Sequence, residues 1–187
     1  MLRLFSALQI PQEITKELIS LQHGLPQVQW MNPQNFHITL YFFGEVERSL
    51  ADEIICALNT IKLPPFQLRT HHSKVFDSET IPDSLVVRIE PCETLNLLHE
   101  QIQCIQERLK LPRDQRKFTP HITIARLLDV KPEDLASYVS SRRGFSLPLF
   151  DIDHFVLFSS PSLDDNVPYI VQGSWKLQAQ KGAKNTL

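Results

Sequence analysis

Two short segments of the sequence combine an imidazole with a hydroxyl at the same spacing. Residues 37–40 read His-Ile-Thr-Leu, and residues 121–124 read His-Ile-Thr-Ile. Each segment lies in a run of β-branched and aromatic residues, which predicts a strand. Because successive side chains of a strand alternate between its faces, the His and the Thr of each segment point the same way. The repetition indicates a duplicated half of the chain.

His37 and His121 can work as a general acid and a general base near neutral pH. Thr39 and Thr123 can donate hydrogen bonds to the oxygens of a tetrahedral group. Cleavage of a cyclic phosphodiester needs this set: a base that activates water, an acid that protonates the departing oxygen, and donors for the non-bridging oxygens. The scheme requires no metal and no cofactor. The residues alone do not distinguish the role of one histidine from that of the other.

A structural interpretation competes with this one for each motif. A single His in a strand is more often a hydrogen-bonded structural residue, and Thr is common in strands because its β-branch suits the pleat. The repetition in a matched context favours chemistry over structure.

The elements that must position these residues mix strands and helices. Strand-like runs occupy residues 1–8, 36–43, 66–70, 85–89, 121–127, 152–159 and 169–177. Helical periodicity follows Pro11, Ser49, Thr94 and Pro132, and Ser49 and Thr94 are the expected N-caps. This order lacks the regular alternation of a doubly wound sheet, so it predicts the α+β class.

Length and charge limit the function. A chain of 187 residues with 42% hydrophobic residues fits one domain, residues 1–187, and its net charge of -2 argues against bulk electrostatic binding of nucleic acid. Its three cysteines have no metal-ligand spacing, which is typical of reduced thiols in a cytoplasmic protein. The apolar N-terminus is too short for a membrane span, and residues 178–187 are expected to form a flexible tail.

The sequence resembles the two-histidine phosphoesterases, and among them the RNA 2',3'-cyclic phosphodiesterases known as 2'-5' RNA ligases. The resemblance spans nearly the whole chain and rests on residues 3–8, 35–40, 42–46, 118–126 and 155–159 together with Tyr169. It implies a bilobal fold of two pseudo-symmetric α/β halves, with antiparallel sheets around a central cleft. It also implies that His37 is the proton donor to the 3'-oxygen and His121 the proton acceptor that activates water. The implied partners are RNA ends or nucleotides with a 2',3'-cyclic phosphate. We expect the protein to be a monomer.

Further residues are candidates for binding the substrate. Arg126 could hold a phosphate at two points, although strict alternation places it on the face opposite His121. Phe36, Phe118 and Tyr169 could stack on a base, with a core role as the alternative for the two phenylalanines. The basic loop of Arg113, Arg116 and Lys117 could guide an RNA backbone or could simply be solvated.

Several alternatives remain open. Tyr41 stands where many relatives carry a basic residue, and Phe43 where leucine is commoner, which leaves the natural RNA in doubt. A module that binds RNA ends or nucleotides without turnover, or a phosphodiesterase for a smaller cyclic nucleotide, would use the same motifs. Reverse joining of RNA ends to a 2'-5' linkage is a side reaction to consider. A structural metal protein is the weakest alternative, because the motif histidines lack matched Cys or carboxylate ligands.

Overall fold

A computed structural model describes residues 1–71, 76–77, 83–112, 117–161 and 167–178. Within them it contains four α-helices and ten strands. The helices are α1 (Gln12–Ile19), α2 (Arg48–Leu58), α3 (Glu93–Arg108) and α4 (Pro132–Ser141). The strands are β1 (Leu2–Gln9), β2 (Val28–Trp30), β3 (His37–Val46), β4 (Phe66–Leu68), β5 (Phe76–Asp77), β6 (Ser84–Arg88), β7 (His121–Leu127), β8 (Phe150–Ile152), β9 (His154–Ser160) and β10 (Ile170–Lys176).

Eight of these strands form one antiparallel sheet in the order β10-β9-β1-β3-β7-β6-β5, with β2 also paired to β7. The first half, β10-β9-β1-β3, therefore combines strands from both ends of the chain. The second half is built on β7, and the two halves meet where Ile38 pairs with Ile122. Strands β4 and β8 form a separate small antiparallel sheet. The predicted mixture of helices with antiparallel sheets is confirmed.

One face of the main sheet is covered by helices and forms the core. Helix α3 packs against β3 and α2 against β1. Helix α4 contacts the turn that follows α1, where the Tyr138 hydroxyl donates to the Leu21 carbonyl at 2.7 Å. The core-facing side chains Leu8, Ile38 and Ile122 are fully buried, and each contributes roughly 1.5–3 kcal/mol relative to exposure. This packing holds both motif strands rigidly.

Local prediction failed at some element boundaries. Helix α2 has Glu47 as its N-cap and α3 has Cys92, neither with a side-chain capping hydrogen bond, so the expected caps Ser49 and Thr94 are wrong. Both of those residues lie inside the first helical turn instead. The three-residue strand β2 was not predicted, because so short a run shows no clear alternation.

Candidate active site

The two His-x-Thr motifs lie side by side on neighbouring antiparallel strands. The pairing of Ile38 with Ile122 places His37 across from Thr123, and Thr39 across from His121. Both isoleucines point into the core, so the His and Thr side chains lie on the opposite face, which we call the site face. Ideal antiparallel geometry separates the Cα atoms of the two histidines by about 8 Å, a distance that leaves room for one phosphate group between the rings.

His37 is fixed by hydrogen bonds at both ring nitrogens. Its Nδ1 lies 2.6 Å from the Asn35 carbonyl oxygen, and its Nε2 lies 3.0 Å from the Thr39 hydroxyl. A carbonyl can only accept, so Nδ1 carries a proton and donates it. The remaining nitrogen, Nε2, is therefore the one that can exchange a proton, and it lies beside the Thr39 hydroxyl.

His121 repeats this arrangement in the second half. Its Nδ1 lies 2.7 Å from the carbonyl oxygen of Thr119, again two residues before the histidine. By the same argument, Nε2 is the nitrogen that can exchange a proton. Both rings are half-buried. The two motifs thus present identical tautomers, fixed by equivalent main-chain acceptors.

A β-bulge follows each motif at the same position. In β3, Ser6 pairs with Tyr41 and Ala7 with Thr39, which leaves Leu40 as the extra residue. In β7, Leu85 pairs with Ala125 and Val86 with Thr123, which leaves Ile124 as the extra residue. A bulge shifts the alternation by one residue. The two half-sites are therefore matched in backbone shape as well as in sequence.

The second bulge determines where Arg126 lies. Ile124 and Ala125 are both fully buried in the core, so the next side chain, that of Arg126, returns to the site face and is exposed. Strict alternation predicts the opposite face, and the structure corrects that expectation because a bulge interrupts the strand. The equivalent residue in the first half is Phe42.

The first bulge also explains why the Tyr41 side chain faces the core. This side chain is buried in the core, and its hydroxyl donates to the Pro112 carbonyl at 3.1 Å. Tyr41 therefore supplies packing and a hydrogen bond on the core side rather than a contact on the site face.

Aromatic rings surround His37 on the site face. Phe5 lies 5.0 Å from the His37 ring centroid, Tyr169 lies 5.5 Å away and Phe158 lies 6.3 Å away. Phe42 packs on the same cluster. We call Phe5, Phe42, Phe158 and Tyr169 the aromatic wall. Of the three aromatic residues predicted to stack on a base, Tyr169 is the one placed beside a motif histidine.

The other two predicted stacking residues have structural surroundings. Phe36 is 4% exposed and belongs to the main core. Phe118 packs against the same core, and its ring stacks on that of His99 at 4.0 Å with an interplanar angle of 8°. The structure therefore does not bring Phe36 to the site, and one face of Phe118 is already covered.

Arg113 and Arg116 lie outside the described residues, as do the tail residues beyond 178. Lys117 is exposed just before the second motif. The proposed guiding role of this basic loop therefore stays a prediction.

Two polar neighbours of the motif histidines were missed from the sequence. Arg88, at the end of β6, pairs directly with His121, so both side chains lie on the site face, and Arg88 is half-buried. Gln9, at the end of β1, pairs directly with His37. Arg88 ends the apolar run of β6, and a cation at the end of a buried strand is a signal that could have been followed. Gln9 gave no such signal.

A cavity of about 290 Å³ lies beyond Gln9, where the lining residues include Asp151, Asp153 and His154. A hydrogen bond from the His154 side chain lowers the pKa of the Asp153 carboxyl, which keeps that carboxylate ionised at neutral pH. Two carboxylates oppose a phosphate by like-charge repulsion. These carboxylates make the cavity unfavourable for an anion.

Among the residues that the structure describes, no three His, Cys, Asp or Glu side chains form a group that could hold a metal ion. No helix there combines the length and apolar character that a membrane crossing requires.

The sequence is similar to those of known proteins over most of its length. The RNA 2',3'-cyclic phosphodiesterase of Aquifex aeolicus is 28% identical over 136 residues, 71% of this chain and 72% of that protein. The Methanocaldococcus jannaschii protein of the same name is 25% identical over 181 residues, 93% of this chain and 100% of that protein.

Solved structures share the fold. TT0787 of Thermus thermophilus has a TM-score of 0.77 at 22% identity, covering 95% of this chain and 99% of that one. Escherichia coli LigT complexed with 3'-AMP has a TM-score of 0.74 at 22% identity, covering 94% of this chain and 98% of that one. The family model described as the 2'-5' RNA ligase superfamily matches residues 11–162. Both motifs fall within that match, and the chain belongs to the 2'-5' RNA ligase superfamily.

Proposed function

We propose that this protein hydrolyses the 2',3'-cyclic phosphate at an RNA end to a 2'-phosphate. The observation that carries the proposal is the matched pair of histidines on one face of the sheet, each with Nδ1 bound to a main-chain carbonyl, which makes Nε2 the nitrogen that can exchange a proton. The curated relatives named above as RNA 2',3'-cyclic phosphodiesterases support it.

In the proposed reaction His121 removes a proton from water through Nε2. The hydroxide attacks phosphorus, the bond from phosphorus to the 3'-oxygen breaks, and His37 protonates that oxygen from its own Nε2. The phosphate remains on the 2'-oxygen. The two histidines have then exchanged protonation states, and proton exchange with solvent restores them for the next turnover.

The surroundings of the two rings support this division of roles. Arg88 pairs directly with His121, and Arg126 lies on the same strand and the same face as His121. Nearby cations favour the neutral imidazole that a base requires. Aromatic rings surround His37 instead.

The neutral donors and the arginine complete the site. The Thr39 and Thr123 hydroxyls point to the same face as the histidines and can donate to the non-bridging oxygens. Arg126 adds a guanidinium that can stabilise the negative charge accumulating in the transition state.

Product identity in isotopic water tests this proposal. Adenosine 2',3'-cyclic phosphate would be incubated with the protein in water enriched in ¹⁸O, and the product examined by ³¹P NMR and mass spectrometry. The proposal predicts adenosine 2'-phosphate with one ¹⁸O in each molecule. A 3'-phosphate product would exclude the proposed bond cleavage. Stoichiometric binding of the nucleotide without turnover would instead favour the binding module.

A further inference from the structure

Asn35 connects the catalytic strand β3 to the segment that carries Tyr169. Its side-chain amide donates to the Val167 carbonyl at 2.9 Å, and its side-chain oxygen accepts from the Tyr169 backbone N–H at 3.1 Å. The main-chain carbonyl of the same residue accepts from His37 Nδ1 at 2.6 Å. One residue therefore fixes both the histidine ring and the backbone of Tyr169.

This connection is buried and specific. Asn35 is 2% exposed, so its amide can be satisfied only by the protein groups that it contacts. Strand β10 begins at Ile170, after these two contacts. The Asn35 amide therefore makes the two hydrogen bonds that a paired strand would otherwise make with residues 167–169. Its nitrogen donates one and its oxygen accepts the other.

The contact orients the Tyr169 ring. The ring meets Phe5 edge-on at 5.0 Å and 83°, and meets His37 at 5.5 Å and 79°. Tyr169 is half-buried, so the neighbouring residues do not enclose it completely. An aromatic ring held beside a phosphate site suits a nucleobase attached to the same ribose.

We propose that Asn35 is a positioning residue that holds Tyr169 against His37, and that Tyr169 in this position contacts the base of the terminal nucleotide. The inference rests on the proposed function in that the ligand is a nucleoside phosphate. It places the base on the His37 side of the site, at the aromatic wall. The His121 side, with Arg88 and Arg126, is left for the phosphate.

Binding measurements on the full chain test the proposal without requiring turnover. Dissociation constants for adenosine 2'-phosphate and for inorganic phosphate would be measured by calorimetry. The variants are Asn35→Ala, the nearly isosteric Asn35→Asp, Tyr169→Leu and the double variant Asn35→Ala with Tyr169→Leu. Asn35→Asp keeps the acceptor for the Tyr169 N–H, but it places a carboxylate against the Val167 carbonyl. Because the two oxygens repel each other, this variant should also release residues 167–169.

We expect each single variant to bind adenosine 2'-phosphate about tenfold more weakly, as loss of one base–aromatic contact predicts, with phosphate affinity unchanged. The double variant should be no weaker than Tyr169→Leu alone, because both changes remove the same contact. Gln172→Ala is the matched control. It removes a 2.8 Å side-chain hydrogen bond between β10 and Ser159 of β9 that contacts neither Tyr169 nor His37, and it should bind both ligands like the wild type.

The outcomes separate this inference from the proposed function. Wild-type affinity for the nucleotide in both folded Asn35 variants would overturn it, as would equal loss of phosphate affinity or additive losses in the double variant. A wild-type protein that binds adenosine 2'-phosphate no more tightly than phosphate would overturn it as well. Selective loss of nucleotide binding in a protein that hydrolyses no cyclic phosphate would support the positioning role while the proposed function fails.

Discussion

Ile38 and Ile122 are directly opposite each other on antiparallel strands, and the local twofold axis that relates the two half-sites passes between them. Each isoleucine points into the core, and each lies between the His and the Thr of its motif. The shared pair therefore sets the separation of the two imidazoles. Each half repeats the same carbonyl contact and the same bulge around this point.

Replacing either motif histidine should abolish most of the activity without unfolding the protein. General acid–base catalysis contributes about 10²–10⁴-fold, so we expect losses of that order in kcat for His37→Ala and for His121→Ala. Both rings are half-buried, and circular dichroism should show native secondary structure. His154→Ala, in a β9 residue of the neighbouring cavity, is the control and should keep its activity. A folded His37 or His121 variant with more than a tenth of wild-type kcat would contradict the assignment.

The threonine hydroxyls can be removed with little change in shape. Thr39→Val and Thr123→Val each remove a donor to a charged oxygen, and such hydrogen bonds contribute about 1.5–3 kcal/mol. We expect kcat/KM to fall roughly 10- to 100-fold in each variant. Thr39→Ser and Thr123→Ser keep the hydroxyl and should recover most of the loss. Equal activity of the Val and Ser variants would show that the hydroxyls take no part.

The position of Arg126 after the bulge gives a further prediction. Arg126→Ala should lower kcat/KM by roughly 10- to 100-fold through loss of a charge-assisted contact, and Arg126→Lys should recover part of it, since lysine keeps the charge but not the two-point geometry. Arg48→Ala, at an exposed position that begins α2, is the matched loss of one positive charge. If Arg48→Ala and Arg126→Ala reduced kcat/KM equally, the effect would be one of net charge alone.

The two histidines should control opposite sides of the pH–rate profile. The base must be neutral and the acid protonated, so the wild type should show a bell-shaped profile near neutrality. The residual activity of His121→Ala should lose the fall on the acidic side. That of His37→Ala should lose the fall on the alkaline side. The reverse pattern would exchange the two roles while keeping the site.

Tyr138 offers a pH-dependent test of the contact between α4 and the turn that follows α1. Burial raises the pKa of its hydroxyl above the usual value, and the nearby Arg142 opposes this in part. A raised pKa in the folded state means that the stabilisation is present below about pH 10 and is lost as pH rises through the folded-state value. At pH 7, Tyr138→Phe should lower the free energy of unfolding by about 1 kcal/mol, through loss of the hydrogen bond to Leu21.

The control for that prediction is the same comparison at high pH. Urea unfolding near pH 11 should show a smaller difference in the free energy of unfolding between Tyr138→Phe and the wild type than at pH 7. At high pH the wild type loses stability, because its buried hydroxyl must stay neutral in the folded state while it ionises in the unfolded state. A difference that stays constant between the two pH values would contradict the burial argument.

The sequence predicted those parts of the site that depend on short-range pattern. The alternation around Ile38 and Ile122 predicted two strands with His and Thr on one face, and both strands are present. The adjacency of those strands could not be predicted, since pairing between residues 84 positions apart (122 − 38 = 84) leaves no local signal.

The bulges are the second feature that pattern alone missed. Leu40 and Ile124 look like ordinary strand residues, yet each shifts the alternation and thereby decides whether Tyr41 and Arg126 face the core or the site. Asn35 was missed for another reason. Its contribution to His37 is made by a main-chain carbonyl, which every residue possesses.

The central claim is tested most directly with a short RNA that ends in a 2',3'-cyclic phosphate, incubated with the purified protein in EDTA. Chromatography that separates 2'-phosphate from 3'-phosphate ends would identify the product. The account predicts complete conversion to the 2'-phosphate, unaffected by the chelator and lost in His37→Ala and in His121→Ala. Recovery of the unchanged cyclic phosphate with the wild-type protein, or undiminished conversion by either histidine variant, would contradict it.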